Sequence, residues 1–332
     1  MSPTRRYAVY IALYGLALCT VIAGIVGLEL YHTVYQPIPL KNHESVIIRV
    51  DKSTTATALI RMMHAQGWIR SIPLWTYLLQ IQDLSGKLRA GIYQVIPGES
   101  VQDLLLRIVA GDVLRKNFMI RPGSTVSQIS ESLQTAPYLT YQASDWTPLR
   151  AQHAVPEGLL FADTYSYDAG SNAKDLLLRA HAQLEKMLDH AWLSRDPVLP
   201  YQNPYELLIV ASILEKEAAI PMERRLISGV IINRLKHHML LQMDPTVIYA
   251  LGDDYKGTLT HEQMMIDSPY NTYRYQGLPP TPIAMVSADA LDAASHPKVS
   301  TYLYFVAKGD GSHEFNTTYA KHREAINQYM RK

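Results

Sequence analysis

From Tyr7 to Leu28 the chain runs for 22 residues without a charged side chain, and no other stretch constrains the fold as strongly. As an α-helix it spans roughly 33 Å, the thickness of a bilayer's hydrocarbon core, so a single membrane-crossing helix is expected over residues 7–28. A cleaved signal peptide is the alternative. Its apolar region would be about 7 to 15 residues and would end at small residues, and no clear site of that type follows. Cys19 lies inside the run, with the bulky Leu18 before it, which fits a small apolar helix residue better than a point of lipid attachment. Arg5 and Arg6 precede the span, while Glu29 and His32 follow it. The positive-inside rule therefore puts residues 1–6 in the cytoplasm and the body across the membrane. Residues 29–42, with Pro37 and Pro39, read as a short stalk without folded structure.

The remainder is long enough for two compact domains, and 48% hydrophobic content in 332 residues supplies a core for each. Lysine plus arginine number 31 against 30 acidic residues, so no charge bias draws the body to nucleic acid. A single cysteine rules out an intramolecular disulfide. The 12 histidines are scattered, without the short spacings of metal ligands, so neither a catalytic metal nor a cofactor is expected.

A strand, turn and helix pattern recurs over Val46–Ile60, Gly91–Ile108 and Phe118–Leu133. The turns are Asp51-Lys52, Pro97-Gly98 and Pro122-Gly123, and Ser100 with Asp103 and Thr125 with Gln128 look like capping boxes. Two further helices are expected over 56–66 and 72–84, and an amphipathic one from Asn172 to about Trp192. The fold class is α+β. Ordinary packing and a repeat with its own function are both open readings of the three units. Trp68, Trp75 and Tyr93 suit either sugar stacking or a core.

Asn203-Pro204 is a strong helix start. The helix that follows carries Leu207, Leu208, Val210, Ala211, Ile213 and Leu214 around nearly its whole circumference, so it must be buried. At its end stand Glu215, Lys216 and Glu217. At 100° per residue Glu215 falls beside Leu208 and Ala211, where lost hydration would raise its pKa toward that of a general acid. Glu217 lies roughly 200° away, so the two cannot converge on one bond. The spacing equally admits two solvated carboxylates at a fraying helix end.

The segments Ala211–Glu217, Val230–Leu235 and Leu241–Tyr249, then Ser268–Tyr273, Gly277–Pro280, Tyr302–Val306 and His313–Thr317, together resemble the successive motifs of the MltG (YceG-like) endolytic murein transglycosylases. Met243 and Ala162 stand where threonine and proline are expected, and Ala218-Ala219 follows the Glu-Lys-Glu. The order at 47–111 is similar to a LysM-like domain. The resemblance implies a LysM-like α+β subdomain at 43–116 and a mixed α+β catalytic domain at 117–332, with its densest motifs at 205–329.

It further implies cleavage of the β-1,4 bond from N-acetylmuramic acid to N-acetylglucosamine, with Glu215 as the one acid/base group and 1,6-anhydro ends as product. Asn233, Gln242, Asp244, Tyr249, Asn271 and Tyr273 would then contact the glycan. The expected partners are peptidoglycan strands and peptidoglycan synthases. The expected location is the inner membrane, crossed once, with the body periplasmic. Two rival readings are a water-using muramidase, with Asp163 or Asp244 as second carboxyl, and a scaffold that binds peptidoglycan without cutting it.

Overall fold

The computed structural model describes residues 3–41, 44–150, 153, 155–217 and 220–329. Met1 and Ser2 of the expected tail, Asn42 and His43 at the stalk's end, Ala218-Ala219 and the last three residues lie outside them. Helix α1 covers Pro3–Tyr35. Its segment Leu13–Tyr35 is the one helix among the described residues long and apolar enough to cross a membrane. The stretch read as a stalk is therefore corrected in part. It is helical to Tyr35, Pro37 bridges Ser100, and Ile38 is buried, its N–H donating to the Glu99 carbonyl at 2.8 Å. The prolines end the helix and begin folded structure.

The chain forms two compact units, one of residues 1–116 with 168–170, the other of 117–167 with 171–332. In the first, β1 (Val46–Val50), α2 (Ala56–Ala65), α3 (Ile72–Ile81), β2 (Gly91–Val95) and α4 (Val101–Ala110) follow in order. β1 and β2 pair antiparallel, with Ile48 opposite Tyr93. Ser100 and Asp103 form the expected capping box of α4. Trp68, Trp75 and Tyr93 are all buried in this unit's core with Leu59, Ile60 and Leu104. The aromatics raised as sugar platforms serve packing, and the Tyr93 hydroxyl is spent on the Arg89 and Ile108 carbonyls.

β3 (Arg115–Met119) pairs with β4 (Thr164–Asp168), most of each strand belonging to the second unit. Between them lies α5 (Val126–Gln134), opened by the Thr125 and Gln128 capping box. The third of the expected strand–helix units thus forms its own two-stranded sheet apart from β1 and β2. Helices α6 (Ala173–Ser194), α7 (Pro204–Glu217), α8 (Pro221–Lys236), α9 (Asp244–Leu251) and α10 (Ala288–Ser295) follow. The hairpin of β5 (Tyr304–Ala307) and β6 (His313–Asn316) precedes α11 (Tyr319–Tyr329).

Helix α7 is the axis of this unit. Every residue from Leu207 to Leu214 is buried, as its all-round apolar sequence requires, and α6, α8, α9 and α10 pack on it. The close approach of α8 to the chain at 297–300 depends on Gly229, where a Cβ would overlap the Lys298 carbonyl oxygen. That carbonyl is held in place, since the Lys298 N–H donates to Arg225 at 2.8 Å. Gly229→Ala is expected to destabilise the second unit by roughly 1–3 kcal/mol through overpacking. Calorimetry of the full-length protein in detergent should show one transition moved to lower temperature.

Candidate active site

The last turn of α7 carries two carboxylates, and the fold treats them oppositely. The Glu215 side chain is 5% exposed, so its expected burial holds. That burial is fully compensated. One oxygen accepts from the Arg224 guanidinium at 3.3 Å, and the other accepts from the Ser287 N–H at 2.8 Å and hydroxyl at 2.5 Å. Ser287 is also the N-cap of α10. Glu215 thus ties α7, α8 and α10 together through both of its oxygens.

Glu217 lines a cleft of about 300 Å³ together with Asp244, Gln242, Tyr273 and Arg234. Burial, with the Asp244 charge in addition, pushes the Glu217 carboxyl up from its ordinary 4.5 to about 7. Asp244 accepts a short hydrogen bond from the Tyr273 hydroxyl. Burial and that acceptor raise the Tyr273 phenol, so it keeps its proton and donates it in this hydrogen bond. Two carboxyls thus share one cleft, Asp244 hydrogen-bonded to Tyr273 and Glu217 raised by burial. Glu217 is the one whose proton affinity is raised toward neutral pH.

Glu215, the expected proton donor, therefore has both oxygens engaged by Arg224 and Ser287, while Glu217 lines the cleft. Helical geometry placed Glu215 on the buried side, but α8 and α10 supply a cation and a helix cap there. The opposite side of the turn is the one that opens on the cleft.

The other expected residues divide. Gln242, Asp244 and Tyr273 are in the cleft. Gln242 adopts a left-handed φ of 53°, costly for a residue with a side chain. It is held there by its N–H on the Thr272 carbonyl at 3.0 Å and by Arg234 on its amide oxygen at 3.3 Å. Asn233 and Asn271 spend their amide donors on backbone carbonyls. Asn233 donates to the Ser300 and Tyr302 carbonyls, both at 2.9 Å. Asn271 is fully buried and donates to Met264 and Ile266. Tyr249 does not line the cleft. Its hydroxyl donates to Glu157 at 3.3 Å and its ring packs on Tyr270. Asp163 is likewise elsewhere, its carboxylate accepting from the Thr164 N–H.

Sequence reasoning assigned no role to Arg234, His313 or His322, which also line the cleft. Arg234 is buried and gives its donors to the Leu303 and Leu241 carbonyls, at 2.7 Å each. It thus fixes the turn that carries Gln242. His322 stacks on Tyr304, and burial lowers its pKa with help from the Arg234 charge.

The sequence profile of the YceG-like family matches residues 48–328. An endolytic murein transglycosylase of Bacillus subtilis (strain 168) is 27% identical over 322 residues, covering 89% of this chain and 88% of that one. One from Streptococcus pneumoniae serotype 2 is 26% identical over 309 residues, covering 82% of this chain and 56% of its own. Among solved structures, a yceG-like protein from Listeria monocytogenes has the same fold, with a TM-score of 0.52 at 24% identity, covering 85% of this chain and 99% of that one.

The two glutamates should respond oppositely to amidation. The folded protein binds the Glu217 proton more tightly than the unfolded chain, so no penalty exists below pH about 4.5. The penalty grows as pH rises to about 7, where it reaches about 3 kcal/mol. Glu217→Gln is expected to be more stable than wild type at pH 8, and the gain should shrink toward pH 5. Glu215→Gln leaves Arg224 buried without its anion and should lose roughly 3 kcal/mol at both pH values. Melting temperatures of the full-length proteins in detergent check both signs.

Proposed function

The chain belongs to the YceG-like family, and from that footing we propose that it is a membrane-anchored endolytic murein transglycosylase whose proton donor is Glu217. One observation carries this reading. The cleft holds a carboxyl, Glu217, whose pKa burial pushes to about 7, and a second carboxyl, Asp244, that accepts a hydrogen bond from Tyr273. A glycosidic oxygen is a poor leaving group until protonated, and an acid with a pKa near 7 both holds and releases its proton at physiological pH.

The substrate is the β-1,4 bond from N-acetylmuramic acid to N-acetylglucosamine within a glycan strand. Glu217 protonates the bridging oxygen, the C1–O bond breaks, and the substrate's own N-acetyl group with the Asp244 charge stabilises the cation that develops at C1. The muramoyl 6-hydroxyl then closes on C1 and loses its proton, for which the ionised Glu217 is one acceptor. No water is consumed and the new end is a 1,6-anhydro sugar. Gln242 offers an amide to the N-acetyl or hydroxyl groups.

The β-α-α-β order of residues 43–116, with its antiparallel strand pair, supports the LysM-like reading of that part and a glycan-holding role for it. Arg5 and Arg6 ahead of the apolar span support an inner-membrane protein with its N-terminus in the cytoplasm and its body in the periplasm. An enzyme so placed cuts strands as they leave membrane-bound synthases and ends their growth. Reporter fusions after Tyr329 should be active only for enzymes that work outside the cytoplasm. A C-terminus active in the cytoplasm would sink this topology.

Water-using hydrolysis is the second reading, because Asp244 stands in the same cleft as Glu217 and could activate a water. The two reactions differ in the cut end. Transglycosylation products should weigh about 18 Da less than hydrolysed ones, one water fewer, and digestion in heavy-oxygen water should leave the new muramoyl end unlabelled. Main products carrying the label would establish hydrolysis. Glu217→Gln should lower turnover by about 1,000-fold with strand binding retained. Glu215→Gln should keep turnover per folded molecule within about tenfold of wild type. Equal, complete loss in two folded variants would refute the division of roles between them.

A further inference from the structure

One pair of side chains at the cleft has no part in the cycle above. Glu223, in the first turn of α8, accepts from the His313 backbone N–H at 3.1 Å to each of its oxygens, and from the ring Nδ1 at 2.8 Å. The two side chains are 16% and 10% exposed. With the carboxylate as acceptor the ring donates from Nδ1, and in that tautomer Nε2 holds the lone pair. Nε2 has no hydrogen-bond partner among the described residues, and it is not among the polar atoms sealed from solvent without one. His313 itself lines the cleft with Glu217 and Asp244. Phe305 meets its ring edge-on, with centroids 5.3 Å apart at 85°, which fixes the ring plane from a second side. A carboxylate behind an imidazole selects the tautomer, orients the ring and stabilises the imidazolium when it forms. His322, the other imidazole of the cleft, has no carboxylate behind it, and its Nδ1 is buried without a partner.

We propose that His313, positioned by Glu223, is the base that takes the proton of the muramoyl 6-hydroxyl. The inference rests on the transglycosylase reading and adds to it a separately held proton acceptor. Glu217 gives its proton to the bridging oxygen, which keeps the electron pair of the broken C1–O bond. The 6-hydroxyl oxygen supplies the pair for its new bond to C1, and its proton passes to His313 Nε2. The imidazolium returns that proton to the Glu217 carboxylate, so both groups end as they began and no co-reactant is needed. Glu223 touches no reacting atom and acts as a positioning residue.

The test uses the full-length protein in detergent and follows the formation of anhydro ends. His313→Ala is expected to lower kcat about 100-fold with KM changed less than about threefold, and about 100 mM imidazole should recover at least tenfold of the loss. His313→Asn, whose amide can still donate to Glu223, should show the same loss and guards against a variant that fails to fold. Glu223→Gln should lower kcat about tenfold at unchanged KM, and nitrogen NMR of the labelled ring should show the Nδ1-protonated tautomer giving way to a mixture. Anhydro ends from wild type, together with a folded His313 variant that keeps kcat within about threefold or loses it without an imidazole response, would overturn this proposal alone. Wild-type products without anhydro ends would overturn the parent reading and this one with it.

Discussion

The carboxylate of Glu215, gripped by Arg224 and by the N-terminus of α10, is the interaction on which the second unit depends. A helix apolar on every side can end inside a protein only if its last turn finds polar partners. Here the partners come from α8 and α10, so one ion pair closes three helices onto a common core. Such a pair adds little net stability over an apolar substitute, but it fixes the rotation of α7 about its own axis. With that rotation set, the residue two places on must face away from α8 and α10. The proposed catalytic geometry follows from this structural bond, since the same rotation sets Glu217 on the cleft.

The cleft shows the same economy. Arg234 sits under the turn that carries Gln242 and holds it with backbone carbonyls, which leaves its charge fixed and unavailable as a mobile ligand. Tyr273 holds Asp244, and Asn271, one turn of chain earlier, accepts the Tyr273 N–H at 3.0 Å. Gln242 and Asp244 are therefore positioned by residues that are themselves held largely by the backbone. An enzyme that works on a flexible polymer gains by having its own groups placed in advance.

Much of this was legible in the sequence. The apolar span, the caps at Ser100 and Thr125, the start of α7 and its burial all follow from local patterns, and the structure has each of them. The placement of the site residues was less legible, for a shared cause. Glu215 and Glu217 were separated correctly by angle, but which side of a helix faces a cleft depends on what packs against it, and α10 lies some seventy residues away. Asn233 and Asn271 look like sugar ligands because amides suit sugars, yet they suit exposed carbonyls of irregular chain just as well, and only the fold reveals those carbonyls. The histidine at 313 sat in a recognised motif, but its carboxylate partner is ninety positions earlier and carries no local signal.

The junction after α1 bears on how the enzyme travels. Tyr35 ends the helix and Ile38 is already locked to Glu99, so only about two residues of leash separate the anchor from the first folded unit, far too few for an independent tether. The anchor and this unit must drift together. Their encounters with polymer are then a planar search, governed by lateral diffusion in the lipid and by crowding within the bilayer, with little of the volume-sweeping that a long flexible linker would allow.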